Sequence, residues 1–225
     1  MSYLNTFLFG YYPYIAGTVF LLGSLIRFER DQFTWKSGSS QMLRAAELRK
    51  GSKLFHWGIL LLFVGHFVGL LTPPALYHAM GLSTSAKQVL AVLAGGVFGG
   101  MCFKGLFILM RRRFTDARIR ATSTRMDMVI LVLLMAQLVL GLLTLPISLF
   151  HLDGSNMLLL AEWAQRIVTF RGDAPDYVAN VSFIFKLHLF LGMTIFLVFP
   201  FSRLVHIWSV PIGYIGRSYQ VVRQR

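Results

Sequence analysis

The stretch of residues 54–71 reads LFHWGILLLFVGHFVGLL and contains no Asp, Glu, Lys or Arg. A helix needs about 20 mostly apolar residues to cross the hydrocarbon core of a bilayer, so this run is a candidate membrane span. It also contains two histidines, His56 and His66. Because an ionisable side chain is costly at membrane depth, each histidine marks a candidate functional position.

Four further runs of comparable length and apolarity occur along the chain. Hydrophobic residues make up 56% of its 225 residues, which is too apolar a composition for a soluble domain. The sequence therefore predicts an all-α integral membrane protein in which residues 1–225 form one membrane domain with five transmembrane helices. The predicted spans are 3–26, 54–71, 89–110, 126–149 and 181–207.

Basic residues are unevenly distributed between the predicted loops. Of the 22 Lys and Arg residues, seven lie between Arg27 and Lys53, six between Arg111 and Arg125, and four from Arg203 onward. Basic loops stay on the cytoplasmic side of a membrane, so we predict the N-terminus outside and the C-terminus inside. This pattern argues against nucleic acid as the partner of a chain with net charge +13. The basic loops either only fix the topology or also contact anionic lipid headgroups or an acidic protein.

The single cysteine, Cys102, limits the redox chemistry available to the chain. One cysteine excludes an internal disulfide, c-type haem attachment through C-x-x-C-H, and any iron–sulfur cluster ligated entirely by this chain's cysteines. We interpret Cys102 as a small apolar packing residue. Redox chemistry in this chain must therefore use other ligands.

The long loop before the last span contains an amphipathic segment, residues 154–170. Its apolar side chains recur on one side of a helix: Met157, Leu160, Ala161, Ala164 and Ile167. This pattern predicts a short helix lying on the outer surface.

The depths of four histidines in the predicted spans indicate two pairs. His56 lies near the cytoplasmic face, and His66, ten residues further along the same span, is about 15 Å deeper. The last span runs in the opposite direction, so His188 lies near the outer face and His206 lies about 27 Å away, near the inside. Antiparallel packing then brings His56 toward His206 and His66 toward His188.

Each pair presents two imidazoles to one metal. Zinc and copper sites use three or four ligands that converge on one point. Bis-histidine ligation of a haem iron needs only two, and it leaves no open position for oxygen chemistry. We therefore predict two b haems, with hydrogen-bonded packing histidines as the alternative.

The helical phase of the histidines adds a constraint. In a continuous last helix, His188 and His206 would lie on one stripe, whereas His56 and His66 are about 80° apart. The two axial spacings also differ by about 12 Å, so we expect the two helices to be tilted against each other. Pro200, between the last two histidines, is positioned to supply a bend.

Glycines flank two of the predicted ligands. Gly65 and Gly69 border His66, and Gly192 follows His188 by one turn. A haem macrocycle requires close backbone approach, which glycine permits. The alternative is small-residue packing between membrane helices.

Several stretches of the chain carry a family resemblance that extends over essentially its full length. They are residues 12–17, 39–42, 55–58, 64–67, 71–73, 120–122, 187–188, 191–194 and 199–211 (FPFSRLVHIWSVP). On these motifs the chain resembles the gamma subunit, or cytochrome b subunit, of membrane-bound respiratory nitrate reductase. The resemblance implies that His56 and His206 hold the haem nearer a cytoplasmic partner, and that His66 and His188 hold the haem nearer the outer face.

The resemblance also implies a quinol site beside the outer haem. Lys87 matches the family lysine that hydrogen-bonds the quinol oxygen, next to Gly65 and Gly69. Lys87 is the only basic residue of its predicted outer loop. A cation there can orient a quinol and stabilise a developing anion, although an interfacial lysine at a helix end is the alternative interpretation.

The expected function is that of the quinol-oxidising subunit of a respiratory nitrate reductase in the bacterial inner membrane. By the resemblance, menaquinol or ubiquinol is oxidised near the periplasm, and electrons cross two b haems to a cytoplasmic iron–sulfur beta subunit. A molybdenum-containing alpha subunit then reduces nitrate. The alternatives are a haem b anchor of a different reductase, for example one acting on sulfur compounds, and a non-redox scaffold or transporter.

Overall fold

The structure is a computed structural model that describes residues 2–35, 40, 42–210 and 216. Ser39, Gln41 and Pro211, which contribute to the resemblance, lie outside the described residues, as do the basic residues Lys36, Arg217, Arg223 and Arg225. The secondary structure of the described part is entirely helical. Its α-helices are α1 (Tyr3–Thr6), α2 (Tyr12–Asp31), α3 (Ala45–Leu71), α4 (Pro74–Ala79), α5 (Thr84–Thr115), α6 (Ala117–Ala121), α7 (Arg125–Leu149), α8 (Ser155–Val168), α9 (Ala174–Tyr177) and α10 (Phe183–Val198).

Five helical segments are long and apolar enough to cross a membrane, which confirms the predicted number. Four of the segments are longer than the apolar runs from which they were predicted, and only the last is shorter. The five segments are Tyr3–Thr34, Ala45–Leu71, Thr84–Thr115, Arg125–Leu149 and Phe183–Phe201. The extensions consist largely of polar and basic residues, because a helix continues into the interface where long basic side chains reach water.

The last span is not one continuous α-helix, so the prediction that 181–207 forms a single helix was wrong. Helix α10 ends at Val198 and is followed by two short 3₁₀ segments, Phe199–Phe201 and Arg203–Ser209. Ser202 between them is extended, with φ −116° and ψ 177°. The shared stripe predicted for His188 and His206 therefore does not exist, because the helical phase is lost at Ser202.

The break lies beside Pro200, as its position in the sequence suggested, and α2 holds it in place. Proline has no backbone N–H and cannot continue an α-helical ladder. Arg27 on α2 donates from Nη1 to the carbonyl oxygens of Pro200 (2.6 Å) and Ser202 (3.0 Å). Gly23 on the same helix leaves room for the proline, since a Cβ at Gly23 would lie 2.8 Å from Pro200 Cγ.

Helices α3 and α5 pack closely along their length because glycine lines the contact. A Cβ added at Gly58 would lie 2.7 Å from the backbone of Cys102. One added at Gly105 would lie 2.8 Å from the carbonyl oxygen of Gly51. Cys102 itself is buried at this contact, as its interpretation as a packing residue required. The same use of small residues is common where membrane helices approach closely.

The amphipathic segment predicted at 154–170 forms helix α8, which packs across one end of the bundle against α3 and α9. Trp163 donates to the carbonyl oxygen of Phe9 (2.9 Å), and Gln165 donates to that of Leu70 (3.0 Å). Arg166 pairs with Glu162 and Asp173, and the hydrogen bond with Asp173 raises the pKa of its guanidinium. We call the end of the bundle that α8 covers the α8 end.

The opposite end of the bundle, here called the basic end, carries most of the Lys and Arg side chains. Arg112 is almost fully buried there and donates to the carbonyl oxygens of Ser40 and Leu43. Arg113 and Arg203 both lie within ion-pair distance, 3.7 Å, of the Asp127 carboxylate. The two ends of the bundle therefore differ in charge.

Candidate functional site

The four membrane histidines lie in two pairs, and these are the pairs predicted from the depths of the histidines in their spans. Near the basic end, the ring centroids of His56 and His206 are 6.2 Å apart. Nearer the α8 end, those of His66 and His188 are 6.0 Å apart. Both pairs join α3 to the last span.

The separation of the rings matches two imidazoles on opposite sides of one metal ion. A metal–imidazole bond is about 2 Å long and a ring nitrogen lies about 1 Å from the ring centre, so two trans imidazoles have centroids about 6 Å apart. Within the described part of the chain, no three His, Cys, Asp or Glu side chains cluster so as to hold a metal ion. The donor set thus fits two bis-histidine haem irons and does not fit a single zinc or copper centre.

Hydrogen bonds fix the ring orientation and the tautomer of all four imidazoles. In each, Nδ1 lies at hydrogen-bond distance from a backbone carbonyl oxygen, which can only accept. The acceptors are Ser52 for His56 (2.8 Å), Leu62 for His66 (2.7 Å), Gln137 for His188 (3.2 Å) and Arg203 for His206 (2.7 Å). Nδ1 therefore carries the proton, and Nε2 keeps the lone pair that a metal requires. This is the usual outer-shell arrangement of metal-ligating histidine.

The packing of the helices leaves the histidine faces of α3 and α10 turned toward each other with little direct contact. Helix α3 packs mainly on α5, whereas α10 packs on α2 and α7, and α3 and α10 have hardly any close backbone approach. His56 and His66 are exposed, and His188 and His206 are half-buried. A flat macrocycle between each pair of rings is compatible with this arrangement.

Lys87 lies near the N-terminus of α5, with its side chain buried against the C-terminal end of α3. It is 8% exposed, its Nζ donates to the carbonyl oxygen of Gly69 (3.0 Å), and it lies 4.2 Å from the ring centroid of Tyr77. The ion pairs of the described residues do not include Lys87. The structure thus brings Lys87 and Gly69 together, and it adds Tyr77, which sequence reasoning missed.

Gly65 and Gly69 both border open space. A Cβ at either position would meet no other atom within 4 Å. They differ in this from Gly58 on the same helix, whose missing side chain is required for packing on α5. The contacts of the described residues therefore do not support the alternative interpretation, in which Gly65 and Gly69 serve close packing between membrane helices. Gly192 differs again, because it borders the side chain of Gln137.

Two residues of α7 that sequence reasoning missed contact His188. The Gln137 carbonyl oxygen accepts the hydrogen bond from Nδ1. A Cβ at Gly141 would lie 3.0 Å from His188 Cε1, so glycine there lets the imidazole rest on the α7 backbone. A polar Gln inside an apolar span was a usable sequence signal, but nothing in the sequence pointed to a partner.

The remaining histidines have local partners at the α8 end. His78 Nε2 lies 3.1 Å from Thr84 Oγ1, and His151 Nδ1 donates to the carbonyl oxygen of Ile147 (3.0 Å). Both side chains are exposed. They are separate from the two pairs.

Comparison with known proteins gives similarity along the whole chain. It is 53% identical over 225 residues to the respiratory nitrate reductase 1 gamma chain of Escherichia coli (strain K12), covering 100% of both chains. It is 38% identical to the nitrate reductase gamma chain of Bacillus subtilis (strain 168), covering 97% of each. A weaker similarity, 28% identity over 70% of this chain and 47% of the relative, is to the Hdr-like menaquinol oxidoreductase cytochrome b-like subunit of Archaeoglobus profundus.

The family assignment does not depend on any single relative. The family model described as nitrate reductase gamma subunit matches residues 5–225, which includes both histidine pairs and all of the five spans except the first two residues of the first. Together with the five spanning helices, this match makes the chain a membrane subunit of an oxidoreductase complex. The chain belongs to the nitrate reductase gamma subunit family.

Proposed function

We propose that this chain is the di-haem cytochrome b subunit of a respiratory nitrate reductase, and that it oxidises quinol and anchors the complex in the membrane. The proposal depends on one observation: the four imidazoles form two pairs. The ring centroids within the pairs are 6.2 and 6.0 Å apart, and every Nδ1 is hydrogen-bonded to a carbonyl oxygen. Family membership supports the nitrate reductase assignment.

The proposed haem ligands are His56 and His206 at the basic end, and His66 and His188 nearer the α8 end. When bound, the two b haems supply one-electron carriers spaced across the bundle. The backbone carbonyls that accept from Nδ1 raise the basicity of each imidazole and hold its ring, which are the contributions expected of outer-shell partners. Since both iron positions would be filled by histidine, this ligation suits electron transfer.

The basic end is proposed to face the cytoplasm, with the N-terminus outside and the C-terminus inside the bacterial inner membrane. The support is the concentration of Lys and Arg in loops at that end, which follows the positive-inside rule. The α8 end then faces the periplasm. Under this topology the proposed quinol site and the proposed electron exit lie on opposite sides of the membrane.

Quinol oxidation is assigned to the space beside Lys87, Gly65 and Gly69. The buried ammonium of Lys87 is positioned to donate to a quinol oxygen and to stabilise negative charge as the hydroxyl loses its proton. Each quinol gives one quinone, two electrons and two protons, and the protons leave on the periplasmic side. The substrate is menaquinol or ubiquinol, and the name of the archaeal relative, a menaquinol oxidoreductase subunit, supports a quinol as the electron donor.

The proposed partners are an iron–sulfur beta subunit and a molybdenum-containing alpha subunit in the cytoplasm. With one cysteine, this chain has no ligand set of its own for an iron–sulfur cluster. A haem held by His56 and His206 at the basic end would therefore need an electron acceptor on another chain. The beta subunit would receive them there, and the alpha subunit would reduce nitrate.

A visible spectrum of the purified complex, recorded reduced minus oxidised, tests the proposal directly. We expect a b-type α-band, two haems per gamma chain by haem extraction, and reduction of both haems on addition of a quinol. Absence of the α-band would refute the cytochrome assignment. Haems that dithionite reduces but quinol does not would refute quinol oxidation while leaving the cytochrome assignment in place.

A haem b anchor for a different reductase remains the second candidate. The similarity to the archaeal Hdr-like subunit favours it, but that match covers 70% of this chain, against full-length similarity to the nitrate reductase gamma chains. Isolation of this chain with its native partners distinguishes the two. Co-purifying subunits that reduce nitrate support the first function, and partners inactive with nitrate support the second.

A further inference from the structure

Lys87 is a buried ammonium at the α8 end, and the ion pairs of the described residues give it no carboxylate partner. Taking an ammonium out of water is costly unless other groups replace the lost solvation. Two groups do so here. The carbonyl oxygen of Gly69 on α3 lies 3.0 Å from Nζ, and the ring centroid of Tyr77 on α4 lies 4.2 Å from it.

The short turn between α4 and α5 holds the Tyr77 ring against Lys87. Tyr77 is 4% exposed, and its carbonyl oxygen accepts a hydrogen bond from the backbone N–H of Leu82 (2.9 Å). Its hydroxyl oxygen lies 3.3 Å from Oγ1 of Thr84, the first residue of α5. Thr84 precedes Lys87 by three residues, so the two side chains are neighbours on the surface of one helix. The same turn therefore fixes the positions of the ring and of the ammonium.

These two contacts leave part of the ammonium free. A lysine ammonium has three N–H donors. One donates to Gly69, the face of the Tyr77 ring covers another side of the nitrogen, and the described hydrogen bonds of Nζ include no other acceptor. An aromatic ring attracts a cation through the negative charge of its π face, but it carries no net charge itself. The full positive charge and one N–H thus remain available, and neither contact has to break when a quinol oxygen accepts from Lys87.

We propose that Tyr77 is a positioning residue for quinol oxidation, whose ring face holds the charged Lys87 side chain with one N–H free for the quinol. This inference rests on the proposed function. A carboxylate in the place of the ring would also hold the ammonium, but it would cancel the charge that stabilises the quinol oxygen as it loses its proton. The alternative role of Tyr77 is apolar packing, which any side chain of the same shape would supply.

The experiment separates the electrostatics of the ring from its shape. In the purified complex, Tyr77→Phe keeps the ring. Phenylalanines with increasing numbers of fluorine atoms, incorporated at position 77, keep its shape and weaken the negative charge of its face. The measurements are the saturating rate of haem reduction by a quinol and the quinol concentration at half-saturation, with haem content and reduction by dithionite as references.

We expect Tyr77→Phe to behave nearly as the parent. With each added fluorine the saturating rate should fall, by about tenfold for the fully fluorinated ring. The half-saturating concentration should change less, because the negative charge on the quinol oxygen develops in the transition state. Haem content and reduction by dithionite should stay unchanged. If Tyr77→Phe does not retain both haems, ring-fluorinated tyrosines replace the series at a pH where the phenol stays neutral.

Tyr177 provides the matched control. Its ring also contacts a cation at the α8 end, but this cation is Arg166, whose Cζ lies 4.0 Å from the ring centroid. The same fluorinated phenylalanines at position 177 should leave both kinetic quantities unchanged. The Lys87→Met background is the second control. Fluorination at position 77 should have no further effect there, because residues that act through one another are not additive.

The outcomes separate this inference from the proposed function. A saturating rate that does not change with fluorination at position 77, or that falls equally with and without Lys87, would overturn the role of Tyr77 and leave the quinol site standing. An equal fall on fluorination at position 177 would have the same meaning. Quinol-driven haem reduction that is unchanged in Lys87→Met would overturn the proposed quinol site itself.

Discussion

His206 lies beyond the break at Ser202, on a 3₁₀ segment, yet its ring centroid is 6.2 Å from that of His56 on α3. A straight α-helix from His188 would carry position 206 about 12 Å further along the bundle axis than the spacing of His56 and His66 requires. The break removes this constraint, because the chain after Ser202 is no longer a continuation of the α10 helix. Both histidine pairs can then form at once.

Each histidine pair is expected to hold its haem independently. His66→Tyr should remove the haem nearer the α8 end, and His206→Ala should remove the one at the basic end, because each variant leaves one pair intact. Haem extraction should give about one haem per chain in each, against two in the parent, with different midpoint potentials for the survivors. His78→Ala and His151→Ala are controls that should keep both. Retention of two haems in either ligand variant would contradict the pairing.

Arg27 is expected to be required for the haem at the basic end. Its guanidinium donates to the carbonyl oxygens of Pro200 and Ser202, and Arg27→Met leaves both without this donor, at a cost on the order of 2 kcal/mol. The 3₁₀ segment with His206 should then be less well held. We expect selective loss of the His56/His206 haem in spectra of the purified complex.

The control for Arg27 is Arg30→Met, which removes an exposed arginine from the same helix. It should leave both haems in place. Equal loss of the two haems in Arg27→Met would indicate general unfolding and would contradict the local role.

Lys87→Met should impair quinol oxidation without removing haem. Loss of a buried donor that stabilises developing charge lowers such rates by about 100-fold. The measurement is the rate of haem reduction by a quinol, compared with reduction by dithionite, which should be unaffected. Lys104→Met, which changes an exposed lysine on the same helix, is the matched control and should behave as the parent. Unchanged quinol-driven reduction in Lys87→Met would exclude this residue from the site.

Gly105→Ala should destabilise the protein, because the new Cβ would meet the backbone of α3 at Gly51 and Phe55, which cannot shift without moving the helix. Overpacking of this kind costs about 1–3 kcal/mol. Thermal unfolding in detergent should show a lower midpoint for this variant. Gly100→Ala, on the same helix where a Cβ meets nothing within 4 Å, should leave the midpoint unchanged, and equal stability of the two variants would contradict the role of glycine in the α3–α5 contact.

Much of the candidate site could be predicted from the sequence because the depth of a residue in the membrane follows from its position along a spanning helix. The positions of His56, His66, His188 and His206 along antiparallel spans were enough to pair them. The prediction of a continuous last helix failed because a 3₁₀ break changes the helical phase of the chain, and hydropathy does not report helical phase. Pro200 predicted where the α-helix is interrupted, but it did not predict the 3₁₀ segment that follows the interruption.

The sequence by itself determined the number of spans, the charge difference between the two ends and the pairing of the histidines, since apolar run length, loop charge and depth are all read along the chain. Only the tertiary structure decided what surrounds each imidazole. The deciding contacts all join different helices. They are the hydrogen bond from His188 to Gln137, the close side-chain approaches to Gly141 and Gly192, and the contacts of Lys87 with Gly69 and Tyr77. Their geometry depends on how those helices pack, and residue spacing within one helix does not specify it.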